Sequence, residues 1–281
     1  MKIKNLFLGV ATAAMAMAAA SCSNIDEGDR FIEVNPVNPE EVGRAILIED
    51  FTGQTCNNCP TGTEIINGIV DTYGEDNVIA VGIHSGPLGF AGTATAVGLM
   101  TDTGNEYYTH WDKENKMGQP WVVFNRKTSP DNHYYNWAAM VGTIISEKAN
   151  LTVNIANAYD AASRTLTTTV GADGVNGTVN GKLQVWIVED GVKALQKMPD
   201  GKINKEYIHN HVFRAAVNGT WGEDVTVKEG ETTTKQYSYV LPEKWNADNI
   251  AVVAFVYNDN DGGVENVAKK HLVEHEGETQ K

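Results

Sequence analysis

Two cysteines separated by two residues are the strongest chemical feature of this chain. Cys56 and Cys59 lie in the segment 48–60, IEDFTGQTCNNCP, and only one other cysteine, Cys22, is present. A thiolate attacks disulfides whereas a thiol does not, and the free N–H groups at a helix start lower a thiol's pKa. The spacing therefore predicts thiol–disulfide exchange, in which Cys56, exposed at the start of a helix, attacks and Cys59 resolves the mixed disulfide.

Two titratable residues stand at the ends of predicted strands close to this pair. Asp50 lies six residues before Cys56, and burial there would raise its pKa and make it a proton acceptor for the resolving step. Strand alternation sends Glu49 and Asp50 to opposite faces, so only one of them need be buried. His84 ends the next strand, and parallel strands bring their carboxyl ends to one edge. We therefore expect His84 near the thiols; the alternative is a loop histidine bonded to backbone.

Other interpretations of the cysteine pair remain open at this point. A purely structural disulfide closing so short a loop would contribute roughly 2 kcal/mol. A zinc site would need four ligands, so histidines would have to complete it. His209 and His211 would share one face of a strand, but we interpret them as a structural pair. No phosphate-binding loop, serine nucleophile or paired-carboxylate pattern is evident, so we expect no cofactor and no metal.

The elements that would position these residues follow from hydrophobic periodicity and from turn residues. The pattern predicts strands at 45–51, 78–83 and 121–124 and helices at 61–73, near 105–111 and at 133–148. Gly74 stands where the first helix should end. A strand, a helix and a strand within about 40 residues favour a right-handed unit with parallel strands.

Four points of this region resemble the thioredoxin family: the cysteine pair opening a helix, Asp50, the aromatic Phe51 and the segment Gly118-Gln119-Pro120 before a strand. The resemblance implies that Pro120 is a cis-proline facing the cysteines and that the backbone of Gln119 pairs with a bound partner chain. With His84, these would be the substrate-binding residues. The expected partners are exported protein thiols or disulfides. An insertion at about 87–116 would explain the long gap before Pro120.

The first residues predict export. Lys2 and Lys4 precede the uncharged run 6–20, which is too short to span a bilayer comfortably and is typical of a secretory signal peptide. The run Ala19-Ala20-Ser21-Cys22 resembles a bacterial lipobox, which implies a signal peptide over 1–21 and lipid on Cys22. The alternative is an ordinary cleaved signal. Residues 22–44 would form a tether, whose early acidic residues resemble a surface-export signal or form a solvated linker.

The composition changes near residue 150. Short strand-like segments with turn residues follow, so we expect an α/β thioredoxin-like domain over 45–149 and an all-β, Ig-like β-sandwich over 150–276. The formal net charge of −14 argues against nucleic acid as a partner.

Three segments together resemble the outer membrane protein 28 family, which consists of lipoproteins of the Bacteroidetes. They are residues 48–60, 122–126 (VVFNR) and 207–214 (YIHNHVFR). The resemblance implies a lipid-anchored protein of the outer membrane, facing either the periplasm or the cell surface. The first hypothesis is a thiol–disulfide oxidoreductase acting on exported proteins. The alternative is a non-catalytic surface binding module or adhesin in which the Cys56–Cys59 disulfide is structural.

Overall fold

A computed structural model describes residues 42–273 of the protein. The predicted signal peptide, the lipidation site at Cys22 and most of the predicted tether lie outside these residues. Strands make up 46% of the described residues and helices 18%. The predicted fold class, an α/β thioredoxin-like domain followed by an Ig-like β-sandwich, is therefore wrong. The chain is predominantly β-sheet.

Three helices and thirteen strands make up the described part of the chain. The helices are α1 (Cys59–Tyr73), α2 (Asp102–Trp111) and α3 (Trp137–Ile144). The strands are β1 (Ile46–Thr52), β2 (Val78–His84), β3 (Trp121–Phe124), β4 (Leu151–Asp160), β5 (Thr165–Gly174), β6 (Thr178–Glu189), β7 (Val192–Lys197), β8 (Ile203–His209), β9 (Val212–Ala216), β10 (Glu223–Lys228), β11 (Thr232–Val240), β12 (Ile250–Asn258) and β13 (Val264–His271). Each element predicted before residue 149 has a counterpart here.

One large sheet combines strands from both halves of the chain, and this is the reason for the wrong fold class. Its order is β13-β12-β6-β9-β2-β1-β3, with β10 also paired to β6. β1 and β2 are parallel as predicted, but the outer edge of β2 pairs with β9 through Gly82 and Val212. A local hydrophobic pattern identifies each strand but not its neighbour. The predicted division between residues 149 and 150 stays a prediction, although one sheet draws strands from both sides of it.

Two smaller sheets complete the fold. β4, β5 and β11 form a three-stranded antiparallel sheet, and β7 pairs with β8 as a two-stranded hairpin. A hydrophobic core that includes Leu166, Val185 and Val252 joins the three-stranded sheet to the large one. The β7–β8 hairpin does not pair with either sheet. It lies against the loop that carries the cysteines.

The segment around the cysteines folds for local reasons. Pro60 occupies the first turn of α1, where a missing N–H costs nothing and the fixed φ favours helix. Ile66 and Ile69, three residues apart, bury one face of the helix. Gly74 then ends it with φ of 82°, a conformation that side chains disfavour. The helix start is thereby fixed directly behind the cysteine loop.

β1 is buried along its whole length because both of its faces are covered. Ile46 and Ile48 pack into a core with α1 and α3, whereas Leu47 and Phe51 pack into a core with α2 and the large sheet. This double burial has an unexpected consequence, since alternation alone required only one of two adjacent acidic residues to be buried. Both Glu49 and Asp50 are buried, one on each face.

Candidate functional site

Cys56 and Cys59 form a disulfide at the start of α1, with their Cα atoms 5.5 Å apart. The backbone N–H of Cys59 donates to Cys56 Sγ at 3.1 Å. The residues are only 1% and 2% exposed, so the exposed Cys56 expected from the sequence is not found. Both cysteines are therefore almost wholly shielded from solvent in this conformation.

Asp50 lies below the disulfide on the α1 side of β1, where it lines a small cavity together with Cys59. Within residues 42–273 its Oδ1 atom is buried without a hydrogen-bond partner. Burial raises its pKa to about 7, because the charged carboxylate loses its hydration and gains no cation. Asp50 therefore lies beside the cysteine pair with a raised pKa, as expected, although its role as a proton acceptor stays a prediction.

His84 lines the same cavity from the end of β2. Its ring centre lies 5.0 Å from that of His209, and its Nδ1 atom is buried without a partner in the described part of the chain. Burial holds the pKa of His84 well below its usual value, and the nearby His209 and Arg214 lower it further. The expected neighbourhood of His84, Asp50 and the cysteine pair is present, although its tuning of the thiols stays a prediction.

Gln119 and Pro120 stand on the other side of the disulfide. Their peptide bond is cis, and the carbonyl oxygen of Gln119 lies 3.5 Å from Cys56 Sγ. The Gln119 side chain is used inside the protein, since Nε2 donates to Thr52 O at 2.8 Å and Ser85 O at 3.0 Å. Pro120 packs on α1 at Gly62, where an added Cβ would lie 2.8 Å from its Cγ atom. Their roles in binding a partner chain stay predictions.

The β7–β8 hairpin covers the site, a contact that no sequence pattern predicted. Gln196 on β7 donates through Nε2 to Cys56 O at 2.8 Å and Gly53 O at 3.3 Å. Lys197 N donates to Gln54 O at 2.8 Å, and Gln54 Nε2 returns a hydrogen bond to Leu195 O at 3.0 Å. The hairpin is therefore hydrogen-bonded to the cysteine loop itself.

The second strand of the hairpin contributes two further residues to the cavity, Tyr207 and His209. Burial lowers the pKa of His209 to about 4, whereas burial together with Glu64 and Asp50 raises that of Tyr207. Alternation along β8 could have placed Tyr207 and His209 on one face. The sequence pattern also suggested a pair of His209 with His211, which lies beyond the strand with φ of 55°, contacts Asp190 and lines the same cavity.

The cavity below the disulfide measures about 30 Å³, room for a water molecule or two but not for a peptide. Its lining combines a carboxyl group of raised pKa with two imidazoles of lowered pKa. Of these groups only the Asp50 carboxyl exchanges its proton near neutral pH, and the small volume leaves no space for substrate. Within residues 42–273 no group of three or more His, Cys, Asp or Glu residues is arranged to hold a metal ion.

Fold and site together define a predominantly β protein with a buried disulfide that two distant parts of the chain enclose. The sequence matches the family model of Outer membrane protein Omp28 over residues 104–276, more than half of the chain, so the protein belongs to that family. The predicted family and the predicted outer-membrane location are thereby confirmed. No helix between residues 42 and 273 is long and apolar enough to cross a membrane.

Solved structures from Porphyromonas gingivalis resemble the chain. HBP35 is 15% identical with a TM-score of 0.65, and the match covers 86% of this chain and 79% of that one, which shows a shared fold. A domain of the outer membrane lipoprotein Omp28 is 25% identical with a TM-score of 0.32, covering 43% of this chain and 86% of that one. No curated protein matches the chain.

Proposed function

We propose that this outer membrane protein is a non-catalytic surface binding module in which the Cys56–Cys59 disulfide is structural. The burial of both cysteines carries the proposal, since neither residue is more than 2% exposed. A catalytic pair must present its attacking sulfur to a second protein. Here the hairpin hydrogen bonds from Gln196 and Lys197 hold the cysteine loop closed.

The disulfide has a structural task that fits this proposal. It links the cysteine loop to the first turn of α1, and the same loop anchors the β7–β8 hairpin. We propose that lipid on Cys22 attaches the protein to the membrane, as the N-terminal sequence predicts. The described part of the chain would then be displayed as a binding surface, in agreement with the family's outer-membrane location.

The reduction potential of the disulfide tests the proposal. A structural disulfide should have a potential below about −300 mV, whereas a catalytic one falls between about −270 and −120 mV. The potential is measured by equilibration of the folded protein with dithiothreitol mixtures and quantification of the free thiols. The Cys56→Ala/Cys59→Ala variant is the control that supplies no thiol. A value in the catalytic range would overturn the structural role.

A second candidate is a thiol–disulfide oxidoreductase acting on exported proteins, and the state of Asp50 favours it. A carboxyl group with a pKa near 7 beside Cys59 is suited to accept the resolving thiol's proton. In this reaction the Cys56 thiolate attacks a partner disulfide and Cys59 resolves the mixed disulfide, so that the partner is reduced to two thiols while Cys56 and Cys59 are oxidised to the disulfide. The hairpin would have to move before a partner could reach Cys56.

Trapping of covalent intermediates separates the two candidates. A Cys59→Ser variant of an oxidoreductase should accumulate mixed disulfides through Cys56, whereas the matched Cys56→Ser variant should trap few. Asp50→Asn should slow release of the partner without preventing its capture. Equal and negligible trapping by both cysteine variants would exclude the oxidoreductase and support the binding module.

A further inference from the structure

A second concave site borders the start of β7 and shares no lining residue with the buried cavity. It is a groove of about 670 Å³, within the size range of small-molecule sites. The loop 91–98 forms one wall, and Lys193, Lys244 and Asn246 stand on the others. Glu189 and Arg214 lie at its base. None of the predicted site residues belongs to it.

Arg214 is held in a fixed position at the base of this groove. Its Nε atom donates to Glu189 Oε2 at 2.7 Å, and its guanidinium carbon lies 5.2 Å from the centre of the Trp245 ring. Glu189 is oriented in turn, because Oε1 accepts from Asn246 N at 2.8 Å. The Arg214 side chain is only 8% exposed. An aromatic face and a carboxylate therefore preorganise the guanidinium.

The terminal amino groups of Arg214 make no hydrogen bond to any of the described residues. Within residues 42–273 its hydrogen bond to Glu189 runs through Nε, and the structure gives Nη1 and Nη2 no hydrogen-bond partner. Because the groove is open to solvent, these donors are available to water or to a ligand. The remaining N–H groups of the guanidinium have the fork geometry that binds a carboxylate through two parallel hydrogen bonds. The unfilled donors thus indicate an anionic ligand.

The surrounding charges limit which anion fits. The chain carries a formal net charge of −14, yet Lys193, Lys244 and Arg214 line this groove against the single carboxylate of Glu189. Lys193 pairs with Glu206, which leaves Lys244 as a rim cation without an ion pair in the described residues. Glu189 would repel a dianion beside Arg214, so a singly charged carboxylate fits better than a phosphate.

The neutral part of the lining suits a polyhydroxy compound. Thr93 and Thr95 offer hydroxyl groups, and Asn246 and Asn249 offer amides. The loop that carries the threonines is tightly folded, since a Cβ at Gly98 would lie 2.1 Å from the backbone of Ala91. We propose that Arg214 and this groove form a binding site for a small sugar acid, whose carboxylate the guanidinium holds. The inference goes beyond the proposed function, because it applies whether the disulfide is inert or reactive.

Calorimetric titration of the folded protein with glucuronate tests this site. We expect a Kd of about 1 mM or tighter, with glucose and inorganic phosphate each weaker by at least about tenfold. Arg214→Lys keeps the charge but loses the fork, and should weaken glucuronate binding by about tenfold or more. Lys228→Gln, an exposed substitution on β10, is the matched control and should bind like the parent.

A second variant tests the site without altering Arg214, whose substitution could disturb folding. Ala94→Trp adds bulk to an exposed position of the groove wall without touching Arg214, and should also abolish binding. Absence of glucuronate binding at about 10 mM would overturn the proposal, as would an affinity within about twofold of the parent in Arg214→Lys. Equal binding of phosphate and glucuronate would show a general anion patch and would overturn the sugar-acid assignment. None of these results depends on the cysteines.

Discussion

The two faces of β1 carry adjacent buried carboxyl groups, of which one is paired with a cation and the other is not. On one face Glu49 pairs with Arg126, whose Nη2 atom lies 3.2 Å from Glu49 Oε1. On the other face Asp50 has no cation and leaves one oxygen without a partner among the described residues. Burial raises both pKa values, but at Glu49 the charge and hydrogen bonds of Arg126 oppose the rise.

The surroundings of Glu49 and Asp50 explain why only Glu49 takes part in a stabilising ion pair. The guanidinium of Arg126 lies within 6 Å of the centres of five aromatic rings, those of Tyr107, Trp186, Trp221, Phe255 and Tyr257. This arrangement joins β1 and the segment after β3 to β6 and β12. Asp50 instead borders a polar cavity closed by a hairpin. Burial alone therefore does not distinguish a structural carboxyl group from one available for proton exchange.

The largest expected effect on stability comes from removing the Glu49–Arg126 ion pair. Arg126→Met should lower the free energy of unfolding by about 3–5 kcal/mol, because it leaves Glu49 buried without its cation. Urea denaturation at pH 7 measures the loss. The surface variant Lys228→Met is the control and should change stability by less than about 0.5 kcal/mol. The double variant Glu49→Leu/Arg126→Met should recover much of the loss, and failure to recover it would assign the effect to the aromatic contacts instead.

Asp50→Asn should have the opposite effect, because it should raise the free energy of unfolding above neutral pH. The folded protein holds this proton up to a pH of about 7, whereas the unfolded chain releases it near the usual aspartate value of 3.8. The stability associated with protonated Asp50 is thus complete below about pH 4 and is lost as pH rises to about 7. At pH 8 the amide should be more stable than the parent by about 2–4 kcal/mol, and at pH 4 the two should agree within about 1 kcal/mol.

Denaturation curves of the Asp50→Asn variant between pH 4 and pH 8 measure this difference. Asp71→Asn, at an exposed position of α1, is the matched control and should follow the parent at every pH. A constant difference between Asp50→Asn and the parent across the range would show that Asp50 does not titrate in that window. It would then resemble Glu49 in being fixed in one state.

The sequence predicted the local elements and the position of Asp50 well, for a physical reason. Hydrophobic periodicity identified β1, α1 and β2. The spacing from Cys56 placed Asp50 near the disulfide, and the shared carboxyl edge of two parallel strands placed His84 there. The wrong fold class and the missed hairpin share another cause. Whether β2 pairs with β9, or Gln196 reaches Cys56 O, depends on contacts between residues more than 100 positions apart. No local pattern encodes such contacts.

A smaller effect on stability should follow from removing the hydrogen bonds that hold the β7–β8 hairpin against the cysteine loop. Gln196→Ala removes the donor shared by Gly53 O and Cys56 O, so stability should fall by about 1–2 kcal/mol. Hydrogen exchange should accelerate in residues 192–209 and around residue 56 while β1 stays protected. Gln236→Ala, on the exposed face of β11, is the control and should leave this pattern unchanged. Unaltered exchange in the hairpin would mean that other contacts hold it closed.

The smallest expected effect concerns two of the three imidazoles that line the cavity, those of His84 and His209. Burial lowers the pKa of His84 most, and His209 contributes next. His209→Asn removes that neighbouring charge, so the pKa of His84 should rise toward its usual value while burial keeps it low. A histidine of lowered pKa stabilises the folded state above pH 6.5 and loses this stability as pH falls. The variant should therefore lose less stability than the parent on acidification.

Titration of the His84 ring by NMR separates this electrostatic effect from a packing defect. A defect alone would reduce stability equally at all pH values and leave the titration in place. His133→Asn, at a position with a 72% exposed side chain, is the control and should not move the His84 signal. If the His84 titration is unchanged in His209→Asn, the two rings are not electrostatically coupled. The Asp50 side of β1 would then contain independent titrating groups, and its contrast with the Glu49–Arg126 pair would rest on Asp50 alone.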